Sequence, residues 1–330
     1  MNHTSTVPPE IIERAASELG SRVAGAQALV GGYTPQRLCR LVLADGRSAV
    51  LKAAGPNEDA AQSGDSVTQQ VIVWTEVLRK EISVYRDTPH LARWRPLFLG
   101  SFEENSWVAL LLEDLSGAGR VPPWTAEAIG ETARGLAEFH AATLGGSSER
   151  KTVLCEDTLR LFARIRERGR HAGDLPANWD TDAWWNWLAS AADAGEATFA
   201  AGVEVDEPHC FTHFDVRSDN MFLREGRLVL IDWSSGGWGP PFIDSVYWAL
   251  GVEIEGGPPA PGVHEQYLAR ANFASPGALK KTLAFCAAFF VNGLQVATAP
   301  PAVQSVRRRF LAPTLRWFAE THDLDAPPFA

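Results

Sequence analysis

The stretch THFDVRSDNMFLREGRLVLIDW, residues 212–233, places His213, Asp215, Asn220 and Asp232 within one short segment. Met221–Arg224 and Arg227–Ile231 are short apolar runs on either side of Glu225-Gly226, the composition of a β-hairpin with a tight turn. Position 226 is the midpoint of 220 and 232, so a chain reversing at that glycine is expected to bring Asn220 and Asp232 side by side. An amide oxygen and a carboxylate then converge. These are hard donors of the kind magnesium takes while keeping waters and substrate phosphates as its other ligands. Asp215 lies five residues before Asn220, on the loop entering the hairpin, where it can address a third group at the same place. Phosphoryl transfer uses such parts: a loop aspartate orients the attacking hydroxyl while an asparagine and a second aspartate hold the metal.

The same chemistry has needs upstream, because charge develops on the oxygens of the transferred phosphate: a lysine, and a glycine loop that covers the phosphates. Lys52, in AVLKAA, is the only lysine in the first 79 residues. Its alternative reading is a strand lysine whose stem lies on apolar surface and whose head reaches water. Gly31, Gly32 and Thr34, in GGYT, are read either as the covering loop or as a plain turn between strands. A buried lysine requires a counter-charge. Glu81, in LRKEISVYRD, stands on the helical segment that follows, and Glu76, five residues earlier, competes with it. Glu113 and Leu115 end the run WVALLLEDL, where backbone groups are placed to bind adenine and side chains need do nothing.

The first third of the chain is expected to be strand-rich. RLCRLVL and SAVLKA, joined at Ala44-Asp45-Gly46, read as an antiparallel hairpin, and LFLGSFEENSWVALLLEDL reads as a second pair reversing around Glu103-Glu104-Asn105. Between them VIVWTEVLRKEISVYRD keeps Val71, Trp74, Val77, Leu78 and Ile82 at helical spacing. The Gly- and Pro-rich SGAGRVPPW then marks a boundary, giving a nucleotide-binding lobe at 1–115 and a helical lobe at 116–330 that carries the catalytic loop and acceptor site. Residues 125–143 and 180–202, the segment from Pro276 and the final VQSVRRRFLAPTLRWFAETH all have helical character.

With 330 residues and 45% hydrophobic content the chain can bury a sizeable core. No apolar run reaches the roughly 18 residues of a spanning helix, and the start lacks the basic and apolar regions of a signal peptide, so a cytoplasmic location without membrane contact is expected. Cys39, Cys155, Cys210 and Cys286 are far apart and suggest neither a zinc site nor disulfides. A formal net charge of −10 argues against nucleic acid as a partner and suits a cationic small substrate. Arg307 to Arg309 read as the solvated face of a late helix.

Taken in order, GGYT at 31–34, VLKA at 50–53, Glu81, LLLEDL at 110–115, LAEFHA at 136–141, HFDVRSDN at 213–220 and LIDW at 230–233 resemble the aminoglycoside phosphotransferase family. These are small-molecule kinases, and the resemblance spans residues 20 to 320. It implies an α+β, protein-kinase-like two-lobed fold, with a small β-rich N-lobe and a larger, mainly helical C-lobe. It implies ATP or GTP with Mg2+ as cofactors, Lys52 on the nucleotide phosphates and paired to Glu81, Asp215 as catalytic base, and Asn220 with Asp232 as metal ligands. His213 would brace the loop, and Asp244 would secure the catalytic region. Many relatives carry a glycine between the catalytic aspartate and the asparagine, whereas this chain has Val216, Arg217, Ser218 and Asp219. Arg217 is therefore expected either on the transferring phosphate or paired to Asp219. His140 reads as a satisfied core histidine.

The acceptor is a small-molecule hydroxyl, first of an antibiotic and alternatively of a metabolic sugar, choline or homoserine-type substrate. Candidate contacts are Asp180, Asp182 and Trp184 in NWDTDAWWNWL, together with Trp238, Glu253 and Glu255, since aromatic faces beside carboxylates suit a cationic sugar or nucleoside. Core packing is the default for most of these tryptophans. A protein kinase is disfavoured because IDWSSGGWGPPFID has neither D-F-G nor A-P-E. A non-catalytic scaffold would be expected to have lost Lys52, Asp215 or Asp232.

Overall fold

The computed structural model describes residues 7–29, 36–56, 67–145, 153–168, 181–200, 209–271, 276–294 and 301–328. In chain order the elements are α1 (Pro9–Leu19), β1 (Val23–Leu29), β2 (Arg37–Leu43), β3 (Ser48–Ala54), α2 (Val67–Asp87), β4 (Phe98–Glu104), β5 (Trp107–Glu113) and α3 (Ala126–Ala142). There follow α4 (Val153–Arg168), α5 (Thr181–Ala200), β6 (Cys210–Thr212), β7 (Met221–Arg224), β8 (Arg227–Leu230), β9 (Gly237–Gly239), α6 (Phe242–Ile254), α7 (Ala260–Leu268), α8 (Pro276–Leu294) and α9 (Pro301–Thr321). The fold is α+β and has two compact units, Met1–Arg120 with Asp219–Gly236, and Val121–Ser218 with Gly237–Ala330. Among the described residues no helix is long and apolar enough to cross a membrane.

The first unit is built on a five-stranded antiparallel sheet in the order β1-β2-β3-β5-β4. Along β2, Cys39, Leu41 and Leu43 are buried while Val42 is exposed, the period-2 alternation of a sheet with a core on one face. That face meets α1, whose Ile11, Ala15 and Leu19 recur every four residues and so line one side of the helix. Helix α1 stops at Gly20, which adopts φ 64° and lets the Ser21 N–H return to Ala16 O at 3.2 Å, satisfying a terminal carbonyl. Alternation along β3 sends Leu51 to the α1 side, and therefore Lys52 to the opposite face, where α2 packs.

The expected reversals are present with one displacement. Ala44-Asp45-Gly46 joins β2 to β3. The turn after β4 falls one residue beyond Glu103-Glu104-Asn105: Asn105 and Ser106 hold φ 49° and 66°, the two left-handed positions whose twist suits a two-residue hairpin.

The lobe boundary expected after residue 115 lies instead at 120, and the chain returns to the first unit for residues 219–236. The reason is packing of the β7–β8 hairpin. Phe222 and Val229 bury against Leu115, with Ala118 and Ile231 beside them, and Gly119 exchanges two backbone hydrogen bonds of 2.9 Å with Leu223. Residues 116–120 are thus tied to the hairpin.

The second unit is mainly helical. Its most enclosed helix is α6, buried at every residue from Phe242 to Val252 except Tyr247, whose ring stacks on Phe310 at 4.8 Å. The expected helical stretches appear as α3, α5, α8 and α9. Arg308 and Arg309 are exposed on α9, as a solvated face requires.

His264 on α7 is enclosed by the rings of Phe242, Tyr267 and Trp317, and neither ring nitrogen has a hydrogen-bond partner among the described residues. Burial pushes its pKa down to about 4. The folded state therefore resists a proton that the unfolded chain accepts. This stability is complete above the unfolded pKa and is lost as pH falls toward the folded one, by up to about 3 kcal/mol. Replacing His264 by Phe should raise the melting temperature and flatten its decline between about pH 7 and 4.5. A variant with the same acid slope as the parent would refute this origin.

Candidate active site

Lys52 is the charged centre of the first unit. Its Nζ donates to Glu81 Oε2 at 2.7 Å and to Asp232 Oδ1 at 2.9 Å. The Lys52 side chain is 9% exposed, that of Glu81 0% and that of Asp232 29%, so Asp232 is the member that can meet an incoming group. Burial alone would make the ammonium shed its proton; the two adjacent carboxylates reverse this and hold the Lys52 pKa above its usual value. Burial also raises the Glu81 carboxyl, an effect that Lys52 opposes and the Asp232 charge reinforces. The competitor Glu76 is exposed and bonds Arg79 at 2.6 Å. Helical spacing thus turns Glu81, and not Glu76, toward β3.

The hairpin carries two of these groups. Glu225 and Gly226, at φ 51° and 71°, form the two-residue turn, and Met221 pairs with Leu230. Reversal is centred between 225 and 226, not on Gly226 as expected. Asn220 therefore opposes Ile231, whose N–H donates to Asn220 O at 2.9 Å, and Asp232 lies one residue further on. There the backbone takes φ 62° and ψ 63°, an uncommon conformation for a residue with a side chain. Asn220 is buried at the other foot of the same hairpin.

A carboxylate and an amide at the foot of one hairpin suit a hard divalent ion. Among the described residues no group of three or more His, Cys, Asp or Glu side chains could hold a metal by itself. Asn220 and Asp232 fit an ion that arrives with most of its oxygen ligands already supplied by phosphates and water.

The loop that bears Asp215 lies in the second unit, and its anchor is Asp244 on α6. The buried Asp244 carboxylate accepts from the His213 N–H at 2.8 Å, from the Phe214 N–H at 2.7 Å, and from His140 Nε2 at 3.1 Å. Tyr267 OH is 2.8 Å from His140 Nδ1, so His140 is a satisfied core histidine. Phe214 takes φ 65° and lies against Gly239, where a Cβ would stand 2.8 Å from its ring. His213 Nδ1 accepts from the Asp215 N–H at 3.3 Å. Arg217 grips Asp215 itself, with Nε to Oδ1 at 2.7 Å and a second nitrogen to Oδ2 at 3.1 Å. This fork was in neither of the two expected placements of Arg217, on the transferring phosphate or on Asp219.

The remaining candidates divide by what already engages them. The Glu113 N–H donates to Leu97 O at 3.0 Å, and the Glu113 carboxylate accepts from the Leu97 N–H and pairs with Arg224 at 3.0 Å. Leu115 is buried on the hairpin. Glu253 caps α7 through the Ala260 N–H at 2.8 Å and pairs with Arg316. Glu255 accepts from Trp124 Nε1 at 2.7 Å and from Ser218 Oγ, and so steadies the residue after Arg217. Trp184 is 1% exposed and stacks on Trp187 at 5.8 Å, a core role. Trp238 is half-buried on β9 with its ring edge-on to Phe211, and Asp182 is exposed in the first turn of α5. Gly31, Gly32, Thr34 and Asp180 lie outside the described residues. Sequence reading had not linked Arg217 to Asp215 or Glu255 to Ser218; loop side chains two residues apart, or 37 apart, carry no periodic signal.

A profile of the phosphotransferase enzyme family matches residues 72–280. No curated protein sequence matches the chain. Among solved structures, a spectinomycin phosphotransferase in complex with ADP and spectinomycin aligns with a TM-score of 0.54 at 13% identity, over 96% of this chain and 94% of that one. The macrolide 2′-phosphotransferase of Brachybacterium faecium aligns at 0.55 and 15%, over 93% and 99%. A candidate fructosamine-3-kinase from Haemophilus somnus 129PT aligns at 0.55 and 12%, over 92% and 96%. At these identities the likeness is one of fold.

Replacing Lys52 by Met leaves Glu81 buried without its counter-charge, and breaking a buried pair costs about 3–5 kcal/mol. The folded-state pKa of Glu81 then climbs further above its unfolded value. Stability from that group is intact below the unfolded pKa and drains away as pH rises through the folded one. Urea titrations should show a large deficit for Lys52→Met at about pH 8 that mostly closes at about pH 5. An equal deficit at both would contradict an ionised buried pair.

Proposed function

The chain belongs to the phosphotransferase enzyme family and is a phosphotransferase with an alcohol group as acceptor; from that premise we propose that its donor is ATP or GTP and its acceptor an antibiotic hydroxyl. The observation that carries the donor reading is the Lys52 ammonium held between Glu81 and Asp232. It offers a fixed positive charge to nucleotide phosphates, and Asp232 keeps enough exposure to turn toward a divalent ion.

In this reading Lys52 binds the phosphates, and Asn220 with Asp232 would hold Mg2+. The ion, when bound, neutralises charge on the phosphate oxygens. Asp215 accepts a hydrogen bond from the acceptor hydroxyl, orients its oxygen, and takes its proton as the new oxygen–phosphorus bond forms and the bond from the γ-phosphorus to the β–γ bridging oxygen breaks, releasing ADP or GDP. Asp244 and His213 are positioning residues for that carboxylate. The Arg217 fork holds both Asp215 oxygens and fixes the plane of the carboxylate. Nucleotide as donor goes with a cytoplasmic location.

The acceptor reading rests on the net charge of −10, which favours a cationic ligand, and on the antibiotics bound or modified by the spectinomycin and macrolide enzymes of like fold. The fructosamine-3-kinase relative supports a metabolic sugar-type acceptor as the second reading. Glu253, Glu255 and Trp184 are engaged internally, and the acceptor candidates carried forward are Asp180, Asp182 and Trp238.

A screen of aminoglycosides, macrolides, nucleoside antibiotics and sugar alcohols with ATP and GTP, read by mass spectrometry, should show a gain of one phosphate on an antibiotic. A gain confined to metabolic sugars would transfer the chain to the second reading. On the acceptor found, Asp215→Asn should lower kcat by about 10²- to 10⁴-fold with an unchanged melting temperature. Full turnover in that variant would remove Asp215 from the reaction.

A further inference from the structure

The first unit has a concavity of about 420 Å³ whose lining does not include Lys52, Glu81 or Asp232. Its wall comes from the end of α2, the segment leading into β4, the end of β5 and the β7–β8 hairpin. Arg93, Arg95, Arg224 and Arg227 line it with Glu113 as the one lining carboxylate; Arg224 pairs with Glu113 at 3.0 Å, and Arg227 pairs at 3.5 Å with Glu225 on the hairpin turn. This local excess of positive charge runs counter to a chain of net charge −10.

Arg95 is the residue that decides what the cavity takes. It is 8% exposed, and its guanidinium donates to Val84 O at 2.7 Å and to Thr88 Oγ1 at 3.4 Å, both neutral acceptors. The guanidinium carbon stands 5.0 Å from the Tyr85 ring centroid. Among the described residues no carboxylate pairs with Arg95, and burial draws its pKa down. Tyr85 is 1% exposed, and its hydroxyl has no hydrogen-bond partner among the described residues. Glu113 does not supply the missing anion, because its carboxylate is engaged by Arg224 and the Leu97 N–H.

A buried guanidinium without a counter-charge is costly, and an unsatisfied buried hydroxyl adds to that cost. An anion entering the cavity supplies that counter-charge. We propose that this cavity binds a small phosphate- or carboxylate-bearing anion, held by the Arg95 guanidinium, with the more exposed Arg224 and Arg227 completing its charge. Guanidinium groups match such oxyanions two hydrogen bonds at a time. The volume lies in the range of small-molecule sites, and Phe98, stacked 6.1 Å from Tyr85, supplies an apolar wall for the body of an organic anion.

The test is calorimetric titration of the full chain with pyrophosphate and, separately, with citrate, each in the presence of excess ADP. Saturable binding of at least one is expected, with the tighter of the two identifying the phosphate or the carboxylate source. Arg95→Met and Arg227→Glu should each weaken it by at least about tenfold. Should Arg95→Met fail to fold in a melting assay, the exposed Arg227→Glu decides. Absence of saturable binding by either anion, or affinities that the folded variants leave unchanged, would overturn the proposal. The outcome does not depend on the phosphotransferase reading, because the variants and not the nucleotide discriminate.

Discussion

Placing an ammonium beneath the central strands of a sheet obliges the protein to bring anions to it. Lys52 reaches that position through strand alternation, and it stays charged because Glu81, 29 residues away, and Asp232, 180 residues away, converge on one nitrogen. One nitrogen thereby ties β3 and α2 to the segment that follows the β7–β8 hairpin. A buried ion pair adds little net stability over apolar packing of the same volume. The partly exposed Asp232, held at a positive φ, is the member of this cluster open to an incoming group.

The second unit solves a different problem, the positioning of one carboxylate on a loop. Asp244 accepts two successive backbone N–H groups and a histidine, and Phe214 is turned to a positive φ over a glycine that leaves it room. These constraints set the backbone that precedes Asp215. Arg217 then sets the plane of the carboxylate, and Glu255 holds the following serine. Each polar group in the arrangement is buried or half-buried and each has a partner, which is the condition for a loop to keep one conformation.

The spacing in residues 212–233 announced a hairpin with an asparagine and an aspartate at its feet, since apolar runs flanking Glu-Gly have few other uses. The register was one residue off, because a two-residue turn has its centre between residues while a midpoint count places it on one. Alternation in RLCRLVL and the helical spacing of Val71, Trp74, Val77, Leu78 and Ile82 likewise identified a sheet and a helix, and left Glu76 and Glu81 as rivals until helix rotation buried one and exposed the other. Composition placed a boundary at the Gly- and Pro-rich crossing. It had no means of assigning residues 219–236 to the first unit, a matter of which surface Phe222 and Val229 cover.

Residue types and short-range periodicity alone determined the sheet and its hairpins, the later helices, and the set of side chains able to handle phosphate, metal and proton, because each depends on neighbours within a few positions. Other partnerships were decided by tertiary structure: Asp232 as the second carboxylate on Lys52, two backbone N–H groups on Asp244, Arg217 on Asp215, and Arg95 without a carboxylate partner among the described residues. Coulombic and hydrogen-bond energies fall off over a few ångströms of space. Distance along the chain does not report that separation.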